Sequence, residues 1–257
     1  MSQSNRLLHS TIQGKGLPLL ILHGYFGMGD NWKSQANKLA SHYQVHLIDQ
    51  RNHGRSFHTD DFDYELMAED LLNYMDFYQI DTAYVLGHSM GGKTAMYFAV
   101  SYPDRVKKLI VADIAPKNYP PHHHDILTAL NQVDFSKITL RSEVDNILKV
   151  SIPEEGVRQF LLKNVYRKTK DSLAFRFNLE SLTKNNDEIG VPLTSFSEYH
   201  GPVLFLKGEN SGYISQDDVS LIKAHFSSSK IVSIKNAGHW LHAENPRDFL
   251  KEVLDFL

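Results

Sequence analysis

The sequence predicts an α/β architecture: a mostly parallel central sheet with helices on both faces, interrupted once by a long helical insertion. Three observations carry this expectation. Short apolar runs alternate with segments whose apolar residues recur at helical spacing. Runs such as Leu19-Leu20-Ile21-Leu22 are continuously apolar, as strands covered on both faces must be. The alternation stops after Asp113 and resumes at Pro202, leaving roughly eighty residues with helical periodicity and no convincing strand.

Taken in order, Leu7 to Ile12 and Pro18 to Leu22 read as strands joined by Gln13-Gly14-Lys15-Gly16, a turn rich in permissive residues. Trp32 to Ala40 reads as a helix, Gln44 to Ile48 as a strand, and Tyr64 to Tyr78 as a longer amphipathic helix. Ala83 to Leu86 is a short buried strand, Lys93 to Val100 a helix, and Lys108 to Val111 a strand that leads to Asp113. The insertion, Lys117 to Tyr199, contains helical pieces at Asp125 to Leu130, Ser142 to Lys149, Glu154 to Tyr166 and Phe177 to Leu182. Strands then return at Pro202 to Leu206 and Lys230 to Ile234. The expected division is a core of residues 1–116 and 200–257 and a helical cap, residues 117–199, over the C-terminal ends of the strands.

Composition narrows the function classes. With 257 residues, 42% of them hydrophobic, the chain suffices for one α/β domain with an inserted cap. A formal charge of −3 supplies no field that would draw nucleic acid or an anionic membrane, so neither is expected as a partner, and no stable membrane insertion is expected. The absence of cysteine excludes disulfides, metal thiolates and a thiol nucleophile. Met1-Ser-Gln-Ser-Asn-Arg6 carries no apolar targeting segment, and a cytoplasmic protein is expected. No P-loop and no dinucleotide-binding G-x-G-x-x-G occurs, so phosphoryl and hydride transfer lack a scaffold.

Chemistry concentrates at Gly87-His88-Ser89-Met90-Gly91-Gly92, a G-x-S-x-G turn between a strand-like and a helix-like run. A serine on so sharp a turn is held in strained backbone and projects its hydroxyl outward, while small residues at 87, 91 and 92 allow close backbone approach. The motif alone also fits a glycine-rich turn with an incidental serine, because a hydroxyl needs a base, an orienting acid and an oxyanion hole to act as a nucleophile. His239, in Asn236-Ala-Gly-His-Trp240, lies just past a strand's C-terminal end, where the base would sit. As one of 14 histidines it would otherwise pass for a surface residue; paired with the elbow it becomes the candidate base. The loop His23-Gly24-Tyr25-Phe26-Gly27 also follows a strand. The N–H of Tyr25, with Phe26 as second choice, would join the N–H of Met90 in an oxyanion hole, and His23 reads as a structural hydrogen-bonding residue.

These residues, from His23-Gly24 through Ser89 to His239, resemble the α/β-hydrolase family across essentially the whole chain. Asp49-Gln-Arg-Asn-His-Gly-Arg-Ser56, Met67-Ala-Glu-Asp-Leu71 and Ala112-Asp-Ile-Ala-Pro116 are similar to its esterase branch of the bacterial YbfF type and eukaryotic ABHD11-type relatives. The resemblance implies the α/β-hydrolase fold and a structural role for the loop at 51–56. The commonest family pattern places the acid in a G-x-x-D loop, but this chain reads Gly208-Glu-Asn-Ser211, with serine at the acid's position. Serine carries no charge to stabilise an imidazolium. Asp113, past the strand that follows the elbow helix, lies on the same sheet edge as Ser89 and His239, and the branch resemblance implies it as the acid; Glu209 and Asp217 are reserves. The blander reading of Asp113 is a turn or helix cap.

The expected function is a serine carboxylesterase hydrolysing carboxylic esters or acyl thioesters, acyl-CoA among them, through an acyl-serine intermediate and without a cofactor. Phe135, Phe160, Leu161, Tyr166, Phe175 and Phe177 are candidates for an acyl pocket or for the cap's own core. Pro120-Pro-His-His-His124 reads as an entrance loop and no metal is expected, since adjacent histidines do not converge on one ion unaided. Lys163, Arg167, Lys168 and Lys170 read as a solvated helix end that would also suit an anionic head group. A carbon–carbon bond hydrolase or lyase of the same fold keeps serine but would need Arg141, Arg158 or Arg176 facing Ser89. A non-catalytic binding module is the remaining alternative.

Overall fold

The computed structural model describes residues 6–121 and 123–257. Most of the amino-terminal segment read for targeting, and His122 of the histidine triplet, lie outside the described residues.

The chain opens with β1 (Ser10–Gln13) and β2 (Pro18–Leu22), then α1 (Lys33–Leu39), β3 (Gln44–Ile48), α2 (Tyr64–Phe77), β4 (Ala83–His88), α3 (Met90–Ser101) and β5 (Val106–Ala112). Between β5 and the next sheet strand come α4 (His124–Asn131), α5 (Arg141–Leu148), α6 (Glu155–Leu162), β6 (Val165–Thr169), β7 (Ser172–Phe175) and α7 (Leu179–Lys184). The core resumes with β8 (Val203–Gly208), α8 (Asp218–His225), β9 (Ser229–Ile234), α9 (Leu241–Glu244) and α10 (Pro246–Phe256).

Seven strands form one sheet in the order β1-β3-β2-β4-β5-β8-β9, parallel throughout except for β1 at the edge. Residues 19–22 are at most 1% exposed, because their alternate side chains serve two different cores. Leu20 and Leu22 join Val85, Leu109 and Val111 under α2 and α3, whereas Leu19 and Ile21 join Leu86, Ile110 and Phe249 on the face covered by α1 and α10. The strand period of two thus explains why the sequence shows an unbroken apolar run. Helix starts follow local chemistry. Asp63 caps α2 by accepting the Leu66 N–H at 2.7 Å, and Asn245 with Pro246 opens α10.

The segment between β5 and β8 corrects the all-helical expectation. Its third helix stops at Leu162, and Val165 to Phe175 turn into a β-hairpin, β6 with β7. The run Val165-Tyr-Arg-Lys-Thr169 opens on a β-branched and an aromatic residue and closes on threonine, all of which suit strands, so the helical reading of Glu154 to Tyr166 extends one element too far. No helix among the described residues is long and apolar enough to cross a membrane.

Chain order explains where a site can form. The chain runs outward from β2 to β3, then crosses back to pair β4 with the other side of β2. Such a reversal leaves a crevice at the C-terminal strand ends, and the loops that follow β2 and β4 flank it.

Candidate active site

Ser89 sits between β4 and α3 with φ 53° and ψ −119°, a left-handed conformation costly for a residue with a side chain. Its neighbours make the turn feasible. A Cβ on Gly87 would fall 2.0 Å from the Gly91 carbonyl oxygen, and one on Gly91 would fall 2.4 Å from that of Leu22. The α3 backbone therefore approaches β2 and β4 more closely than any side chain permits, and the Ser89 N–H is fixed by the Ala112 carbonyl at 3.0 Å.

Asp113 follows β5, also with positive φ, and is fully buried. Its Oδ2 accepts from His239 Nδ1 at 2.8 Å and from the Ser211 hydroxyl, while Oδ1 accepts the Gly208 N–H at 2.9 Å. Three donors thus converge on the carboxylate and satisfy it away from water. Ser211, at the usual acid position, thus touches the same imidazole indirectly, through Asp113. Glu209 instead accepts the Asn236 N–H, and Asp217 is exposed; neither meets His239. Tyr213 stacks on the His239 ring at 3.9 Å and 15°, and His88 donates from Nε2 to the His239 carbonyl at 2.8 Å.

The loop at 23–27 is held by two histidines. His23 accepts the Gln50 N–H on Nε2 at 3.0 Å and donates from Nδ1 to the Gly24 carbonyl, the structural role expected of it. His53 Nε2 accepts the Phe26 N–H at 3.2 Å, which engages the second-choice oxyanion donor. Among the described residues the Tyr25 N–H meets no acceptor, and the Met90 N–H belongs to the first turn of α3, where amides lack intrahelical partners. The string at 51–56 is structural throughout. Arg51 is buried and grips Asp70 at 2.6 and 2.9 Å, and Asn52 donates to Ser181 and accepts the Asn178 N–H on its carbonyl, tying core to insertion.

A cavity of about 490 Å³ is lined by Ser89 and His239 together with Tyr25. Ile126, Val157, Phe160 and Leu161 of the insertion line it too, with Trp240 from the His239 loop, whose ring lies 5.6 Å from Phe160. Of the other aromatic candidates, Phe135, Phe175 and Phe177 pack on one another at 4.8 Å, and Tyr166 lies under Arg176. They belong to the insertion's own core or surface. None of Arg141, Arg158 and Arg176 lines the cavity: Arg158 is paired with Asp145 at 2.8 Å, and Arg141 reaches the Val165 carbonyl. Lys163 does line it, whereas Arg167 bonds the Lys170 carbonyl on the exposed hairpin. Among the described residues no cluster suits a metal ion.

Four imidazoles around this site are buried and neutral. Burial pushes His23 down to about 4 and His53 and His242 to about 3, and it carries His88 well below its ordinary value. Neighbouring histidines add to the last three shifts. In the unfolded chain all four titrate near 6.5, so below that pH the unfolded state binds more protons. Their contribution to stability is therefore complete well above pH 6.5 and is lost as the pH falls through 6.5 towards about 3. At pH 5 His23, His53 and His242 each forfeit roughly 2 kcal/mol, a large share of the net stability of a domain. Cooperative acid unfolding near pH 5 is expected in circular dichroism. An unchanged melting temperature between pH 7 and pH 5 would contradict neutral burial.

Sequence reasoning assigns no role to His88 or Tyr213, whereas His53 falls within the string already read as structural. His88 occupies the variable position of the elbow motif, and Tyr213 acts across loops distant in sequence, so no local pattern marks them. Only the meeting of strand ends does.

Comparison with known proteins gives concordant results. A family model described as alpha/beta hydrolase fold matches residues 18–146. A diacylglycerol lipase of Danio rerio, sn-1-specific and named ABHD11, is 37% identical over 98% of this chain and 82% of its own. Esterase YbfF of Escherichia coli is 36% identical over 95% of this chain and 94% of its own. A solved structure described as a marine microorganism esterase superposes with a TM-score of 0.96 at 46% identity, covering 98% of this chain and 100% of that one.

Proposed function

The chain belongs to the α/β-hydrolase family, and from that premise we propose that it is a serine carboxylesterase whose triad is Ser89, Asp113 and His239. The observation that carries the reading is one cavity lined both by Ser89 on a strained elbow and by an imidazole bonded to a buried carboxylate. His239 Nδ1–H points to Asp113, which leaves Nε2 as the basic nitrogen. That nitrogen takes the Ser89 proton as Oγ attacks the acyl carbon, and Asp113 stabilises the imidazolium that results. The amides of Tyr25 and Met90 receive the negative charge that gathers on the carbonyl oxygen. His239 returns the proton to the leaving alcohol or thiol, then activates the water that cleaves the acyl-serine.

The substrates are carboxylic esters and acyl thioesters, acyl-CoA among them. Relatives named esterase and diacylglycerol lipase support ester hydrolysis. The apolar wall from Ile126 to Leu161 suits an acyl chain, and Lys163 gives the wall a cation that suits an anionic leaving group. Residues 117–199 act as the substrate-covering cap. Among the described residues no cap arginine lines the cavity, which weighs against carbon–carbon cleavage.

The test is turnover of p-nitrophenyl esters of increasing acyl length, with matched acyl-CoA thioesters and a 2-hydroxy-6-keto acid alongside. Ester or thioester hydrolysis that peaks at one chain length is expected, with Ser89 labelled by a fluorophosphonate. Absence of labelling, or carbon–carbon cleavage outpacing ester hydrolysis, would overturn the reading.

A further inference from the structure

We propose that Glu244 is a positioning residue that clamps the main chain on both sides of His239; the inference rests on reading His239 as the base. Glu244 closes α9, and its two carboxylate oxygens reach back to the loop that precedes the helix. Oε2 accepts the Gly238 N–H at 2.6 Å and Oε1 accepts the Trp240 N–H at 3.2 Å. One side chain therefore holds the amides immediately before and after the histidine. The carbonyl between them is taken by His88. With these three groups tied, the imidazole keeps one backbone origin from which to meet Asp113 and Tyr213.

The arrangement is built by the turn itself. The amides of Ala243 and Glu244 both donate to the Trp240 carbonyl, at 2.8 and 2.9 Å, and this folds α9 back over the loop. A Cβ at Gly238 would lie 3.2 Å from Glu244 Oε2, so a small residue stands where the carboxylate approaches. Glu244 is exposed and belongs to neither hydrophobic core, so little of the fold depends on it. An exposed carboxylate has water as an alternative to both amides; a bond of 2.6 Å to the first is in the short, charge-assisted range. Glu244 also lines the cavity, which places the clamp beside the reacting groups. Catalytic geometry is sensitive at this scale, since a misplacement of about 1 Å can cost about a hundredfold in rate.

The experiment compares Glu244→Ala and Glu244→Gln with wild type in ester turnover, melting temperature and amide hydrogen exchange at Gly238 and Trp240. Glu244→Ala is expected to speed exchange at both amides and to lower kcat about tenfold, with KM and melting temperature nearly unchanged. Glu244→Gln keeps one acceptor oxygen and should fall between the two. A kcat within about twofold of wild type, a change confined to KM, or losses that track melting temperature equally in both variants would each overturn the clamp. Ser89→Ala and His239→Ala run in parallel separate this outcome from failure of the esterase reading: if those variants turn over like wild type, the base assignment itself is wrong.

Discussion

Ser89→Ala is expected to abolish turnover, lowering kcat on the order of a million-fold while leaving substrate binding intact. The hydroxyl is the only protein group in the proposed mechanism that bonds covalently to the acyl carbon, so no other side chain takes over the acyl-serine step. What survives is the rate given by the oxyanion amides and by binding, about a thousand-fold or more over water. The measurement is single-turnover and steady-state kinetics on the preferred ester, with KM or a binding constant for a non-hydrolysable analogue as the control. A loss of less than about a hundredfold would remove Ser89 from the covalent step. Backbone strain supplies a second, independent reading of the same position. Ser89 holds φ 53° against the preference of any residue with a Cβ, and glycine tolerates that angle. Ser89→Gly should therefore be equally inactive yet more stable, by about 1 kcal/mol, than Ser89→Ala. Strain retained at this position, in a chain that has glycine at 87, 91 and 92, marks the hydroxyl as the reason for keeping it.

Much of this site is legible in the sequence because its parts are local. The elbow is written in six consecutive residues, and the close approaches of Gly87 and Gly91 are what their missing side chains imply. The strands can be read because burial on both faces leaves continuous apolar runs such as Leu19 to Leu22. The proposed acid is harder to read. Position 211 carries serine, and only the sheet order brings Asp113 at the end of β5 next to β8, with β9 and the His239 loop one strand beyond. Family likeness pointed there, whereas spacing alone left Glu209 and Asp217 open. The hairpin at Val165 to Phe175 escaped because the preceding helix and the first strand share an apolar rhythm over a few residues, where the two periods are hard to separate. His53, Tyr213 and Glu244 act on backbone or ring faces across loops. Contacts of that kind depend on how strand ends converge, which no residue pattern encodes.

Asp113→Asn is expected to lower kcat on the order of ten-thousand-fold, and the reason lies in the donors that surround the carboxylate. Oδ2 receives His239 Nδ1–H and the Ser211 hydroxyl; Oδ1 receives the Gly208 N–H. An asparagine has one oxygen and one NH2 for these partners. If its oxygen faces His239, the NH2 confronts the Gly208 N–H, a buried clash of donors worth roughly 1–3 kcal/mol. If the NH2 faces His239, the imidazole must accept on Nδ1, which places its proton on Nε2 and leaves no base towards Ser89. Either orientation also removes the negative charge that stabilises the imidazolium, and the site is too buried for water to substitute. Ser211→Ala provides the contrast: it deletes one hydrogen bond but keeps the charge and both other donors, so a loss of about tenfold or less is expected. Glu209→Gln and Asp217→Asn should leave kcat within about twofold, because neither side chain meets the imidazole. If Asp113→Asn costs tenfold or less while Glu209→Gln or Asp217→Asn costs more, the acid has been misassigned, and the elbow serves a different partner from the one the sheet order brings to it.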